Sequence, residues 1–329
     1  MLRRLLPLGL IGACVIAACG SDPGSVFGTS SSSGSSGFPG DGGGTITGGA
    51  EKDGPPPATP IECNKMDIVF IIDNSVSMKE EQTSLVNSIP GFIKLIEEYK
   101  TAGGELLDYR IGILSTDVTN DKGIMRKSRG LDPDTTTCDP LDNNKPWLER
   151  SDATDAGPKI SDVFACRARL GTLGDPTELP LESAKLALYE RTADGENTLK
   201  SKGESFLRKE ALLAFIIITD EDEGGGDHDP RPVAFKNTPD YYAKQFDDVK
   251  EGYRARWATA VIAGDNGTNG QGCSSSLGTA DNAVRLQRFV DNAKPNGVFS
   301  SICKDDFSGA LKEAFDVFSN ACKGFPGVK

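Results

Sequence analysis

Asp73, Ser75 and Ser77 stand at alternate positions directly after the apolar run Asp67 to Ile72. One carboxylate and two hydroxyls so spaced, where a buried strand runs out, make a set of hard oxygen donors. Mg²⁺, Mn²⁺ and Ca²⁺ favour carboxylate, hydroxyl, carbonyl and water oxygens. A second acid, Asp220, closes the strongest apolar run, Ala211 to Thr219. Carboxylates carried to one rim by two buried strands repel unless a cation lies between them. Beyond Asp220 come Glu221, Asp222 and Glu223, then three glycines. Glu221 and Asp222 either take a second cation, such as Ca²⁺, or only solvate a loop.

Competing chemistries lack their parts. A serine hydrolase needs a histidine base, and the one histidine, His228, sits among turn residues in Gly226-Asp227-His228-Asp229. No Gly-x-Ser-x-Gly elbow, Walker loop or dinucleotide-binding glycine turn follows a strand. No Cys-x-x-Cys is present, so a zinc site has little to build on. The chain reads as a binding protein, and an enzyme such as a metal-dependent hydrolase is the weaker reading.

The donors need a scaffold, and strand and helix signals alternate along the chain. Residues 67–72 suit a central parallel strand covered on both faces. Leu85, Ile89, Phe92 and Ile96 recur at helical spacing, with Pro90 expected to kink or divide that helix. Tyr109 to Ser115 reads as a strand ending at Thr116-Asp117. Residues 118–165 are polar and long for a connection, an insertion with room for a short edge strand. A helix carrying Leu179, Leu181, Ala184 and Leu188 follows Pro176-Thr177. Trp257 to Ala263 and Val298 to Ile302 read as strands, and 282–292 as a helix. Phe307, Leu311, Phe315 and Phe318 line a last helix, capped by Asp305 or Asp306. Such alternation predicts an α/β fold, a Rossmann-like doubly wound and mostly parallel sheet with helices on both faces.

Asp73-x-Ser75-x-Ser77 after one buried strand, with Asp220 after another, resembles the metal-ion-dependent adhesion site of von Willebrand factor A (vWA) domains. The resemblance covers about residues 66–320, and the excess over a minimal vWA domain falls in two loop insertions. It implies that Ser75 and Ser77 ligate the cation directly, with Asp73 orienting them or holding a coordinating water, and that Asp220 is the second carboxylate. It also implies a threonine from a middle loop. Thr177 is the candidate and Thr172, in Gly171-Thr172-Leu173-Gly174, competes with it. The family often carries glycine after the second aspartate, where this chain has Glu221. The implied cofactor is a divalent cation, Mg²⁺ first, with Ca²⁺ or Mn²⁺ as alternatives. The implied partner is a protein ligand presenting an acidic side chain.

The amino end has a different character. Arg3 and Arg4 precede a short apolar stretch, Leu5 to Ile16, as in a secretory signal. Val15-Ile16-Ala17-Ala18-Cys19 is similar to a bacterial lipobox, which implies a lipoprotein signal peptide over 1–18 and lipid on Cys19. An ordinary signal peptide with an incidental cysteine is the alternative. The resemblance places the protein in the bacterial cell envelope, lipid-anchored, on the outer rather than the inner membrane. Twelve Gly, eight Ser and six Pro among residues 20–60 leave too little apolar surface to offset ordering. Residues 19–60 therefore read as the anchor and a disordered linker, and 61–329 as one vWA domain.

The chain carries a net charge of −12, and removing Arg3 and Arg4 leaves 34 basic against 48 acidic residues, a net of −14. That balance disfavours nucleic acid and anionic lipid surfaces as partners. Once the signal and Cys19 are set aside, six cysteines remain, an even number that favours disulfides in an exported protein. Position in the expected fold suggests Cys63–Cys322, Cys138–Cys166 and Cys273–Cys303.

Overall fold

The computed structural model describes residues 61–127, 138, 145–152, 159–224, 237–267 and 270–327. The signal peptide, Cys19, the linker and His228 lie outside the described residues. The apolar run after Lys65 forms strand β1 (Lys65–Ile72), buried from its second residue onward. Helix α1 (Lys79–Glu98) follows as one unbroken element of 20 residues that contains Pro90. The expected division does not occur. Pro90 is exposed, so the backbone bond it cannot donate is lost on the solvent side, where water replaces it.

Strand β2 (Asp108–Ser115) leads into the insertion, which supplies an edge strand β3 (Trp147–Glu149) and helix α2 (Ile160–Arg167). Helices α3 (Pro180–Leu188) and α4 (Glu190–Ala193) precede a small hairpin, β4 (Thr198–Leu199) with β5 (Glu204–Ser205). Then come β6 (Leu212–Ile218), α5 (Pro239–Val249) and β7 (Trp257–Ala263). A second hairpin, β8 (Gly272–Ser274) with β9 (Thr279–Asp281), precedes α6 (Val284–Ala293), β10 (Gly297–Ser301) and α7 (Ser308–Lys323). Phe307 occupies the N-cap position of α7, and Asp306, one of the two acids expected to cap it, accepts the Ser308 N–H at 2.9 Å from one residue earlier. Among the described residues, no helix is long and apolar enough to cross a membrane.

The main sheet runs β10-β7-β6-β1-β2-β3, parallel throughout except at β3. Alternate residues of β1 face opposite layers. Ile68, Phe70 and Ile72 pack with α1, α2 and α7, while Val69 and Ile71 pack with α3, α5 and α6. This is the doubly wound α/β architecture expected from the sequence. Ile72 is level with Ser115 of β2 on one side and Ile218 of β6 on the other. Three adjacent parallel strands therefore end together. The chain leaves β1 toward β2 and returns on the far side as β6, so a switch point lies here, where open α/β sheets bind ligands.

At the opposite end of the sheet, the buried Asp67 is clamped by Arg208, whose backbone N–H and Nε reach its two oxygens at 2.7 and 2.8 Å. Lys250 Nζ donates to three carbonyl oxygens there, those of Arg208, Lys209 and Ala211.

Disulfides join Cys63 to Cys322, Cys138 to Cys166 and Cys273 to Cys303. The first ties the lead into β1 to the end of α7 across 259 residues. By loop-closure entropy it is the bond with most to contribute. Replacing Cys63 and Cys322 together by serine should lower unfolding stability by about 3–5 kcal/mol. Denaturant titration of both proteins checks this, and a loss below about 1 kcal/mol would contradict it.

Candidate metal centre

Asp73 follows β1 directly, and its N–H continues the ladder to Ile218 O of β6 at 2.9 Å. Its side chain is fully buried. One carboxylate oxygen accepts the Ser75 N–H at 2.7 Å and the other accepts the Thr219 hydroxyl at 2.8 Å. Burial pushes this carboxyl above its ordinary range, and the two donors only partly offset that. Both oxygens being engaged, Asp73 is placed to orient the Ser75 loop against Thr219.

The Ser75 and Ser77 hydroxyl oxygens lie 3.1 Å apart. Adjacent ligands of an octahedral ion at 2.0–2.1 Å are separated by about 2.9 Å, so the pair stands close to the spacing a Mg²⁺ would require. Ser75 is buried and Ser77 exposed, which opens the group to solvent on the Ser77 side. Asp220 follows β6 and shares hydrogen bonding with Ser77 and Asp73. Burial, followed by the Asp73 charge, pushes its carboxyl up to about 7.

The middle loop brings a residue that the sequence reading missed. Glu178, fully buried, faces Asp73, and its carboxyl is pushed up to about 10 by burial, then by the charges of Asp73 and Glu221. The Thr116 hydroxyl, at the end of β2, donates to Glu178 Oε2. Thr177 is half-buried one residue earlier, its N–H on Asp175 Oδ1 at 2.9 Å. Thr172 is half-buried in the preceding segment. The signal for Glu178 was present as an acid just before Pro180, but an acid beside a helix start reads first as a partner of the helix dipole.

Gln82 was also missed. Its amide nitrogen donates to Asp73 O at 2.8 Å and Gly171 O at 2.9 Å, while its oxygen accepts the Gly171 N–H at 3.2 Å. Asn74 adds a second tie, its carbonyl accepting the Gly174 N–H at 2.8 Å and its side chain the Ser115 hydroxyl at 2.6 Å. A Cβ on Gly174 would collide with the Asn74 side chain, so glycine permits this approach.

Of the two additional candidates, Asp222 is a helix cap. Its oxygens accept the Arg285 and Leu286 N–H groups at 2.8 and 3.0 Å, at the start of α6. Glu223 serves α3 in the same way through Leu181 N–H at 2.7 Å. Neither interaction was visible locally, since the capped helices lie 63 and 42 residues away. Glu221 is half-buried, and its charge bears on Glu178. Glu81, in the first turn of α1, is buried, with its carboxyl raised to about 7 by burial and by Asp220.

These residues fit a hard cation. Buried Asp220 Oδ1 and Glu178 Oε1 have no hydrogen-bond partner, and such orphaned charged atoms are costly unless something compensates them. Among the described residues, no trio of His, Cys, Asp or Glu side chains forms a metal-binding group by itself. The donor set is mixed, with the Ser75 and Ser77 hydroxyls and the free oxygens of Asp220 and Glu178 available as donors.

No family model and no curated protein matches the chain. Several solved structures are similar in backbone. Proximal thread matrix protein 1 of the mussel byssus is 15% identical over 80% of this chain and 47% of that one, with a TM-score of 0.37. This chain thus spans about half the length of that protein, another structure of which has a zinc-occupied MIDAS motif. A von Willebrand factor type A protein from Catenulispora acidiphila is 12% identical, covering 78% of this chain and 43% of that one, at a TM-score of 0.37. BatB, a conserved hypothetical protein from Bacteroides thetaiotaomicron, is 13% identical over 78% of this chain and 99% of that one, at 0.34.

In chelator, Glu178→Gln should stabilise the domain. A carboxyl raised from its ordinary 4.5 to about 10 makes the folded state hold a proton that the unfolded chain releases. Stability from this group is therefore intact below about pH 4.5 and lost as pH rises toward 10. The variant should match the parent near pH 4.5 and exceed it by roughly 2–3 kcal/mol at pH 7. Saturating Mg²⁺ should narrow or reverse that gap. Chemical denaturation across pH, with EDTA and with Mg²⁺, measures both, and a gap that does not change with pH would refute the reading.

Proposed function

We propose that this chain is a cell-envelope binding protein whose domain captures a protein partner through a divalent cation held at the rim of the sheet. The observation that carries the reading is that buried Asp73 adjoins both Glu178 and Asp220, while Asp220 hydrogen-bonds Ser77, whose hydroxyl lies 3.1 Å from that of Ser75. Ser75, Ser77, Asp220 and Glu178 would hold the ion, with Asp73 behind them. When bound, the ion supplies a positive centre that can accept a carboxylate from outside. The exposed Ser77 leaves an approach from solvent. A charge-assisted contact of that kind is directional and gives specificity from a small area. Mg²⁺ suits the hydroxyl spacing, and Ca²⁺ or Mn²⁺ would satisfy the same oxygens.

The site supports binding rather than turnover. Ser77 is hydrogen-bonded to Asp220, but a carboxylate is a weak base toward a hydroxyl, and we read the protein as non-enzymatic. The amino-terminal sequence adds the location. Signal cleavage before Cys19 and lipid on that residue would anchor the chain to the envelope, outer membrane first, with residues 20–60 as the spacer. Several acyl chains hold a protein stably where one does not. The competing reading is a scaffold in which the cation only stabilises the loops. It is favoured by the Gln82 and Asn74 ties, which would keep those loops assembled without any partner.

Ser75→Ala should remove most of the thermal stabilisation given by Mg²⁺, Mn²⁺ or Ca²⁺ and abolish EDTA-sensitive capture of envelope proteins, while its melt in chelator stays within a few degrees of the parent. Cation stabilisation without any EDTA-sensitive capture would favour the scaffold. Capture by Ser75→Ala undiminished in chelator would exclude the cation as the link. Cys19→Ala should move the protein from the membrane to the soluble fraction, and retention on the membrane would defeat the anchor.

A further inference from the structure

At the end of the sheet opposite the cation site lies an open cavity of about 460 Å³. That volume is within the range of sites that take small molecules, roughly 300–1,000 Å³. Leu106, Asp108 and Arg110 line it from the start of β2, and Arg150 from just past β3. Lys202 and Glu204 line it from the β4–β5 hairpin, and Arg208 from the loop ahead of β6.

Its three guanidinium groups are held in place by the fold. Arg110 lies over the Trp147 ring at 4.8 Å and pairs with Glu204 at 3.2 Å. Arg150 lies over the Tyr109 ring at 5.1 Å, with its Nε donating to Leu107 O at 2.7 Å. Arg208 is held by Asp67 and Asp108, each at 2.8 Å. Side chains already immobilised lose little freedom when a ligand arrives.

What these clamps leave over defines the ligand. Asp108 meets Arg208 through Oδ2, and Glu204 meets Arg110 through Oε2. Among the described residues, no hydrogen bond reaches Asp108 Oδ1 or Glu204 Oε1. Both acids are open to solvent, with side chains 52% and 43% exposed. On the basic side, Lys202 is exposed and its ammonium has no partner among the described residues. Arg150 engages only Nε and Nη2, which leaves Nη1. The free groups are therefore of both signs. A polyanion would meet Asp108 and Glu204, and a polycation would meet Lys202 and the guanidinium groups. Leu106, 48% exposed, adds an apolar surface between them and solvent.

We propose that this cavity binds a small zwitterion, a free amino acid or short peptide with an aliphatic side chain. Its carboxylate meets Lys202 and Arg150, its ammonium meets Asp108 and Glu204, and its side chain covers Leu106. The site uses no cation, so it stands or falls apart from the function proposed above.

The test uses the full chain in EDTA, where a bound cation cannot contribute. Ligand-observed NMR titration follows the dipeptide alanyl-leucine and free leucine, both of which carry the two end charges. At least one should bind, and the tighter of them identifies the source as peptide or amino acid. Acetylating the amine or amidating the carboxylate of that ligand should each weaken it about tenfold. Lys202→Gln should also weaken it about tenfold and bind the free and amidated forms alike. Its melting temperature should match the parent's, because Lys202 has no side-chain partner to lose. Glu204→Gln should likewise bind the free and acetylated forms alike. Binding indifferent to both blocking groups, an unchanged affinity in Lys202→Gln, or no binding of either ligand would overturn the proposal.

Discussion

Burial of neighbouring carboxyl groups governs the upper edge of this sheet. Asp73 and Asp220 are carried there by neighbouring parallel strands whose last residues are level, and Glu178 is folded in beside them from a third loop. The charges acting most strongly on Glu178 and Asp220 are those of other carboxylates. In the low-dielectric interior such an arrangement cannot stay fully ionised without compensation. Much of the surrounding construction limits how far these groups can separate. Gln82 and Asn74 lock the Asp73 loop to the segment ahead of Glu178. The Gly224 N–H on Glu178 O at 2.7 Å then fixes that residue against the loop after Asp220.

The rest of the domain shows that the fold can satisfy a buried acid when the role is structural. Asp67, at the opposite end of β1, is as deeply buried as Asp73, yet Arg208 reaches both its oxygens and also bridges to Asp108 at 2.8 Å. Asp222 and Glu223 sit only two and three residues beyond Asp220, and backbone N–H groups at the starts of α6 and α3 receive them. Even so, one oxygen of Glu223, like one each of Glu81, Asp220 and Glu178, is buried without a hydrogen-bond partner.

The sheet was legible because its strands are nearly unbroken apolar runs, and buried parallel strands need little else. Asp73, Ser75, Ser77 and Asp220 were legible because each follows such a run directly. What remained hidden depended on contacts distant in sequence. Gln82 reads as one polar residue in an amphipathic helix until Gly171, 89 residues on, is seen beside it. Glu178 reads as a helix-start acid until the fold turns it toward Asp73. The helix-capping duty of Asp222 spans 63 residues, so the local run of acids looked like a ligand set or a solvated loop. The division expected at Pro90 did not occur for a simpler reason. Its effect on a helix depends on which side faces water, and the spacing of apolar residues alone did not weigh that.

Protons could also relieve the crowded carboxyls, and the raised values of Glu178 and Asp220 describe the group in that condition. Protons alone leave the serines unexplained. A proton shared between two acids needs no hydroxyls nearby, whereas here two hydroxyl oxygens 3.1 Å apart stand beside Asp220, with Ser77 open to water. Each can give its hydrogen away and still turn a lone pair inward, which a carboxyl-only cluster could not do without adding charge. Two neutral hydroxyls among the possible donors let a divalent ion offset the carboxylate charge without adding to it. On the proposed function, the same geometry would relieve the crowding within the fold and leave the ion open to a partner's acid.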